Sequence, residues 1–340
     1  MKSTKKNNIV GLTLISGGLD SLIASLLIKL QNIEVIGLNF RSPFCLCDKA
    51  YRNSECGLNL YQQKLGIKIF FLPKEDDYLK IINNPKYGYG KNMNPCIDCR
   101  IYILKKARKF AEEIDADFII TGEVLDQRPK SQNLKALKIV EEESGLIGKI
   151  VRPLSAKLLE PTIYEERGLI DRSKLLGIRG RSRKIQLDLA RKYNLLNEYY
   201  ACGGCLLTDV NFSRRMRDFL RYKKKPKMED IPILKLGRHF RYKNSKIIVG
   251  RNEIENNILQ ASLKDTDIIM EAKETVGPIT VIRGDLNDDI INFAAKLTLN
   301  YSDEKKSSGK ILYRYSNSNK NNELIVDKGN IEILKSYILS

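Results

Sequence analysis

Apolar residues in the first half of the chain fall into short blocks separated by stretches with helical spacing. Ile9–Ile15 is a mostly apolar run of the kind that fills a buried strand, and Leu22–Leu30 follows it with leucines and alanine at helical spacing. Glu34–Phe40 predicts a second strand, Leu58–Leu65 a helix and Lys68–Leu72 a third strand. Ile101–Ile114 carries its apolar positions at period 3.6, and Asp117–Thr121 reads as a strand ending at Gly122. This alternation predicts an α/β fold with a doubly wound parallel sheet, whose ligands sit at the carboxyl ends of the strands. Ile150–Pro153 and Ser155–Leu159 follow, and Pro161 is placed to start a helix over Thr162–Gly168.

From Asp171 the pattern changes. Leu175–Arg183 is rich in glycine and arginine, Lys184–Tyr193 predicts a basic helix and Phe212–Arg221 another. Arg221–Pro232, with Lys223, Lys224, Lys225 and two prolines, has linker composition. Beyond it, Lys246–Val249, Thr280–Ile282, Lys310–Tyr315, Leu324–Val326 and Ile331–Leu334 read as short strands. Helices near Glu253–Leu259 and Asp288–Tyr301 complete a small α+β domain, with polar Tyr315–Asn322 as a loop between strands. The predicted division is 1–168, an α/β domain; 169–222, a basic helical extension; 223–232, a linker; and 233–340, the α+β domain.

Composition narrows the function. No apolar run among the 340 residues approaches a membrane span and no cleavage signature precedes Ile9, so a cytoplasmic protein without a membrane partner is expected. A formal charge of +18 suggests a polyanionic partner such as RNA or DNA, with a lysine-rich compositional bias as the competing reading. Seven cysteines without a secretory signal favour metal, cluster or redox chemistry over structural disulfides. The single histidine, His239, lies in the C-terminal part, which leaves Ser-His-Asp and Cys-His mechanisms almost nothing to work with.

Between the first strand and its helix lies Ser16–Gly17–Gly18–Leu19–Asp20–Ser21. Two glycines at a tight strand-to-helix turn let backbone N–H groups face an anion at the helix N-terminus. The pattern Ser-Gly-Gly-x-Asp-Ser resembles the PP-loop of the ATP pyrophosphatases, which cleave ATP to AMP and pyrophosphate. It is not a Walker loop, for it lacks Gly-Lys-Ser/Thr.

Pro95–Cys96–Ile97–Asp98–Cys99 precedes the Ile101 helix, and Gly203–Gly204–Cys205 offers a third sulfur on a glycine turn. A Cys-x-x-Cys pair at a helix N-terminus brings two sulfurs together and favours thiolate. Either Cys96, Cys99 and Cys205 bind three irons of a 4Fe-4S cluster, or one cysteine carries a persulfide that another resolves as a disulfide. Buried structural thiols are the bland alternative. Cys45, Cys47 and Cys56, spaced Cys-x-Cys-x8-Cys, are candidates for a zinc site with Cys202 as a fourth thiolate, against a loop of plain thiols.

PP-loop, Pro-Cys-x-x-Cys and a late cysteine together look like the tRNA thiolation enzymes. Thr121–Gln127, then Ser131–Leu134, then Arg152–Pro153–Leu154 is similar in order and spacing to the tRNA 4-thiouridine synthase family, over roughly Ile9 to Leu220. That family usually has glycine where Asp126 stands, and it begins with a THUMP RNA-binding domain. No room for one precedes Ile9, so tRNA docking is expected elsewhere. Ile247–Asn252 followed by a helix resembles the RNA-binding domain of the NFACT family. The resemblance implies nucleotide contacts from Ser16, Gly17, Gly18, Asp20, Ser21, Asn39, Gly122, Glu123 and Gln127. It implies catalysis through Asp20, Cys96, Cys99 and Cys205, with Asp20 on the Mg2+ side.

The implied reaction is ATP-dependent thiolation of a uridine in tRNA: adenylation makes the carbonyl oxygen a leaving group, and sulfur displaces AMP. Implied partners are tRNA and a sulfur donor, either sulfide or a persulfide from a cysteine desulfurase; a homodimer is left open. Two other readings stand beside it. One is a PP-loop enzyme making an amide or a deazapurine from a small molecule, which needs neither the basic tail nor the third cysteine. The other is a non-catalytic RNA-binding protein, which the intact loop disfavours. Arg179, Arg181, Arg183, Lys184, Arg191 and Lys192, with Arg214, Arg215, Arg217 and Arg221, are expected to contact RNA phosphate. Tyr222, Arg238, Phe240, Arg241 and Tyr242 are candidates for stacking or backbone contact, with a core role as the alternative.

Overall fold

The computed structural model describes residues 9–45, 57–195 and 204–339. The chain forms two compact units, Met1–Thr208 and Asp209–Ser340. In the first unit, strands β1 (Val10–Leu14), β2 (Glu34–Arg41), β3 (Lys68–Pro73), β4 (Phe118–Thr121) and β5 (Ile150–Val151) make one parallel sheet in the order β3-β2-β1-β4-β5. Strand order reverses beside β1, so the loops after β1 and β4 flank the crevice where such sheets bind ligands. This is the predicted doubly wound sheet.

Helices cover both faces. Helix α1 (Leu19–Lys29) buries Leu22, Ile23, Leu26, Leu27 and Ile28 on one face, and α2 (Gly57–Leu65) adds Leu58 and Leu65 to that core. Helix α3 (Asp77–Asn83) follows β3 and was not marked by any clear periodicity. Helices α4 (Cys96–Glu113) and α5 (Leu134–Ser144) fill the other face with Ile97, Ile101, Leu104, Ala107, Ala136 and Val140. Helix α4 begins earlier than the Ile101 start read from its apolar spacing: Pro95 is its N-cap, and Cys96 and Cys99 lie in its first turn. The short α6 (Ile163–Glu166) is stopped from unwinding by a capping box between Thr162 and Glu165. Helix α7 (Lys184–Lys192) returns to the α1 face, where Ala190 joins the core.

The second unit starts before the expected linker. Helix α8 (Val210–Tyr222) belongs to it, and residues 223–232 are packed: Ile231 is buried and Asp230 pairs with Lys264. Its antiparallel sheet runs β11-β10-β8-β9-β7-β6. The strands are β6 (Arg238–Tyr242), β7 (Ser245–Val249), β8 (Ile268–Ala272), β9 (Thr280–Arg283), β10 (Ser308–Tyr315) and β11 (Asn322–Asp327). Helix α9 (Glu253–Ala261) follows β7, while α10 (Asp288–Asn300) buries Ile290, Ala294, Leu297 and Leu299 against Phe240, Ile247, Val249, Ile268 and Ile311. Ile331–Leu334, read as a strand, is instead the start of helix α11 (Ile331–Lys335), because the Asn330 side chain accepts from the Glu332 and Ile333 amides. Among the described residues no helix is long and apolar enough to cross a membrane.

Candidate functional site: a phosphate grip beside a thiol group

β1 hands the chain to the loop at Ile15, whose carbonyl accepts from Asn39 Nδ2 at 2.7 Å. Asn39 therefore braces the base of the loop. Gly17 has φ of +81°, the left-handed turn that glycine permits, and Gly18 caps α1 without a side-chain hydrogen bond. The first amides of α1 thus lack a side-chain acceptor, which is the condition for an anion site at a helix N-terminus. Ser21 Oγ donates to Gly18 O at 2.8 Å and lies 3.3 Å from Ser16 Oγ, so the two hydroxyls stand together at the mouth. Gly122 locks the loop from the neighbouring strand. A Cβ there would lie 2.5 Å from Ser21 N and 2.6 Å from Asp20 C, so only glycine allows the two backbones to meet.

Asp20 is surrounded. Gln127 Nε2 donates to Oδ2 at 3.2 Å, Gln186 Nε2 to Oδ1 at 3.1 Å, and Arg183 stands 3.6 Å from Oδ2. Asp126 explains its own departure from the family pattern. Its φ is +59°, a left-handed conformation that glycine adopts freely and aspartate tolerates, and its carboxylate accepts from Arg179 Nε at 2.7 Å. Glu123 is buried, with Oε2 accepting from Arg152 Nε and Thr121 Oγ1 at 3.0 Å each. Its Oε1 faces Arg100 Nε at 2.9 Å as an ion pair rather than an aligned hydrogen bond. Burial opposes its ionisation, but Arg100 and Arg152 outweigh that and hold the carboxyl below its ordinary range. Its charge is committed to these two arginines, and it ties α4 to the loop after β4.

The thiols come together by long-range stitching. Leu206 N donates to Phe44 O at 2.8 Å, Met93 N to Leu207 O at 3.0 Å, and Asn92 Nδ2 to Thr208 O at 2.6 Å. These bonds hold the Cys205 turn against the loop that leads into Cys96 and Cys99, while Cys45 bridges Cys205 backbone to backbone. Lys74, just past the carboxyl end of β3, donates to Cys99 Sγ at 3.1 Å, and the buried Tyr78 hydroxyl also bonds this sulfur. Burial resists ionisation of Cys99, yet Lys74, Tyr78 and Arg100 prevail and lower its thiol below the ordinary value. Burial and the adjacent Cys99 push Cys96 up, and burial pushes Cys205 up to about 11. One sulfur is shifted toward thiolate and the other two toward thiol. Cys47, Cys56 and Cys202 lie outside the described residues, and with them most of the candidate zinc set.

Three thiols are the soft donor set that a cluster with one open iron requires. Among the described residues no three His, Cys, Asp or Glu side chains converge on a single metal ion, and Lys74 Nζ lies 3.1 Å from the Cys99 sulfur. In a cluster each sulfur would bind its own iron, and Cys96, Cys99 and Cys205 lie near enough to act on one another electrostatically. Mg2+ is a different case, since nucleotide phosphates and water supply most of its ligands and one carboxylate such as Asp20 suffices.

Sequence spacing missed Lys74, Tyr78, Arg100 and Gln186. Arg100 had a signal in standing next to Cys99, and Lys74 in closing a strand at its carboxyl end; Tyr78 and Gln186 had none. A groove of about 780 Å³ along α4 and α5, lined by Lys86, Tyr87, Lys105, Lys109 and Glu143 among others, contains neither the loop nor the thiols. In the second unit, Phe240 is fully buried, Tyr242 stacks on Phe293 at 4.0 Å, and Arg241 is spent on Asp218 at 2.7 Å. For these the core role holds. Arg214, Arg217 and Arg221 on α8 are exposed and have no acidic partner among the described residues.

Residues 7–158 match the family model described as Thiamine biosynthesis protein (ThiI), and residues 237–338 the model described as NFACT protein RNA binding domain. The tRNA-specific 2-thiouridylase MnmA of Karelsulcia muelleri is 27% identical over 273 residues, covering 74% of this chain and 64% of that protein. The protein of the same name from Clostridium perfringens is 32% identical over 132 residues, 35% of each chain. The chain thus spans less than two thirds of the length of either relative. A solved 4-thiouridine synthetase–RNA complex with bound ATP is 19% identical, with a TM-score of 0.39, covering 56% of this chain and 42% of that one.

Proposed function

We propose that this chain, which joins a ThiI-type PP-loop domain to an NFACT-type RNA-binding domain, is an ATP-dependent tRNA thiouridine synthase. The observation that supports the reading is that the cysteine group and the Ser16–Ser21 loop stand at one sheet edge, with Arg100 beside Cys99 paired to Glu123 beside Gly122. The loop amides around Gly17 and Gly18, with the Ser16 and Ser21 hydroxyls, receive the pyrophosphate part of ATP. Asp20 faces its Mg2+. Adenylation of a uridine carbonyl oxygen releases pyrophosphate and turns that oxygen into a leaving group.

Sulfur then arrives as a persulfide. The outer sulfur of a persulfide on Cys205 bonds to the activated carbon, and AMP departs with the oxygen. The Cys99 thiolate attacks Cys205 Sγ, the S–S bond breaks, and its electron pair stays on the sulfur now attached to uridine. A Cys99–Cys205 disulfide remains, and an external thiol must reduce it. Lys74 and Tyr78 support this by lowering the Cys99 thiol below its ordinary value, which favours its thiolate. The exposed arginines of α8 and the NFACT-type domain supply tRNA affinity.

Nucleoside mass spectrometry of tRNA from a deletion strain tests the reading. One thiouridine should vanish, and purified protein should release pyrophosphate from ATP only with the unmodified tRNA. An unchanged nucleoside profile without tRNA-dependent pyrophosphate release would sink it. Iron retained after anaerobic reconstitution, and lost in each of the Cys96→Ser, Cys99→Ser and Cys205→Ser variants, would replace the persulfide by cluster-held sulfide.

A further inference from the structure

Arg179 and Arg183, from the basic segment expected to contact RNA, stand beside the nucleotide loop. Ile178 N donates to Leu154 O at 2.7 Å, and Gly180 N to Leu125 O at 2.8 Å. Ser155 Oγ closes the seam by donating to Ile178 O at 2.7 Å and accepting from Leu125 N at 2.9 Å. Arg179 pairs with Asp126 on the loop that also carries Gln127. The base of Arg183 is therefore fixed relative to the phosphate grip.

Gln186 makes the second, independent observation. It is 0% exposed, in the first turn of α7, and its amide nitrogen donates to Asp20 Oδ1 at 3.1 Å. A carboxylate can only accept, so the orientation of this amide is settled by its partner. Its Oε1 is buried without a partner. A glutamine held this way, at the cost of an unmet acceptor, positions Asp20 rather than filling space. Arg183 is 3.6 Å from the other oxygen of Asp20, beyond hydrogen-bond range, and its side chain is half exposed. A polyphosphate at the N-terminus of α1 offers that guanidinium more charge and a bidentate acceptor than a single distant carboxylate does.

We infer that Arg183 and Gln186 complete the nucleotide site, Arg183 as a clamp on the pyrophosphate part of ATP and Gln186 as the residue that positions Asp20 toward the bound Mg2+. This rests on the reading of the loop as an ATP site. The clamp recognises a diphosphate, not the adenosine, and it neutralises charge on the leaving pyrophosphate.

Calorimetry on the full-length protein separates the parts, using Mg–pyrophosphate, AMP and ATP as titrants. In Arg183→Ala, pyrophosphate and ATP should bind roughly tenfold more weakly while AMP changes less than about twofold. Arg183→Lys should recover part of the loss and covers the case in which the alanine variant does not fold. In Gln186→Leu, ATP binding should weaken with Mg2+ present and stay unchanged in EDTA, at an unaltered melting temperature of the free protein. Unchanged pyrophosphate affinity in the Arg183 variants overturns the clamp, and so does equal weakening of AMP and pyrophosphate. Loss of tRNA affinity alone would return Arg183 to the RNA surface, and equal loss with and without Mg2+ in Gln186→Leu would make that residue merely structural. Should the unaltered protein bind neither ATP nor pyrophosphate, the ATP reading itself falls along with the clamp.

Discussion

The phosphate grip and the thiol group share the carboxyl edge of one sheet, yet they are assembled by opposite means. The grip is nearly contiguous: Ser16 to Ser21 turn between β1 and α1, Asn39 braces the base of the loop, and Gly122 sets how closely the next strand approaches. The thiol group draws on four separate segments, at Cys45, Lys74 to Tyr78, Cys96 to Cys99 and Cys205, held by backbone bonds between loops. A contiguous grip depends on steric fit at few atoms. A composite group depends on many modest bonds, so its chemistry should be tunable where that of the grip is all-or-none.

The largest effects should divide the two regions cleanly. Asp20→Ala should abolish both pyrophosphate release and thiolation, and Asp20→Asn should fail nearly as badly if the carboxylate serves Mg2+ as proposed. Cys99→Ser and Cys205→Ser should abolish thiolation while leaving tRNA-dependent pyrophosphate release measurable. Paired assays of pyrophosphate and thiouridine read the split. Wild-type turnover in Asp20→Ala would remove that residue from the mechanism, and simultaneous loss of both activities in the cysteine variants would mean that the two sites are one.

Next in size is Gly122→Ala, a methyl group forced onto the backbone of Asp20 and Ser21. Overpacking of this kind costs about 1–3 kcal/mol, and here it falls on the loop itself, so ATP affinity should drop roughly ten- to hundredfold. Labelling of Cys99 should not change. Equal ATP affinity would show that the close approach is not needed for the grip.

Lys74→Met addresses the other region. The ammonium 3.1 Å from Cys99 favours the thiolate, so removing it raises the Cys99 pKa and moves its alkylation profile to higher pH. At neutral pH the iodoacetamide reaction at Cys99, resolved by peptide mass spectrometry, should slow several-fold. Cys205, already near 11, should stay unreactive until strongly alkaline pH. An unshifted Cys99 profile would deny Lys74 its role.

Legibility in the sequence follows the same division. The β1–loop–α1 unit could be read because one short apolar run, two glycines and one helical period stand side by side. Helix α4 was read late because positions 96–100 carry little apolar periodicity; Pro95 and burial of Ile97 start it, and no pattern over several turns announces them. Asp126 looked like a departure and proves to be an accommodated left-handed residue. Glu123 was a candidate nucleotide ligand, but its pairing with Arg100 and Arg152 depends on side chains far apart in the chain. The same distance hid Lys74 and Tyr78 from any reading of the Cys-x-x-Cys motif. In the second unit, the apolar alternation of Ile331–Leu334 outweighed the Asn330 cap, a local signal that was present and decides for helix.

The smallest predicted effect tests the stitching itself. Asn92 sits at φ of +55°, and its side-chain nitrogen donates to Thr208 O at 2.6 Å, three residues past Cys205. Asn92→Gly keeps the left-handed backbone and removes only that bond. A net hydrogen bond of this type contributes about 0.5–1.5 kcal/mol, so the stitch should loosen without unfolding the unit. The Cys205 turn would spend less time beside Cys99, and diamide-induced formation of the Cys99–Cys205 disulfide should slow by roughly two- to tenfold, the kinetic equivalent of that energy. ATP affinity should be unaffected, since the grip takes no support from Thr208. Disulfide formation at the wild-type rate would show that the remaining bonds, from Leu206 to Phe44 and from Met93 to Leu207, hold the turn by themselves. A fall in ATP affinity would show that the two regions are not as separate as their construction implies.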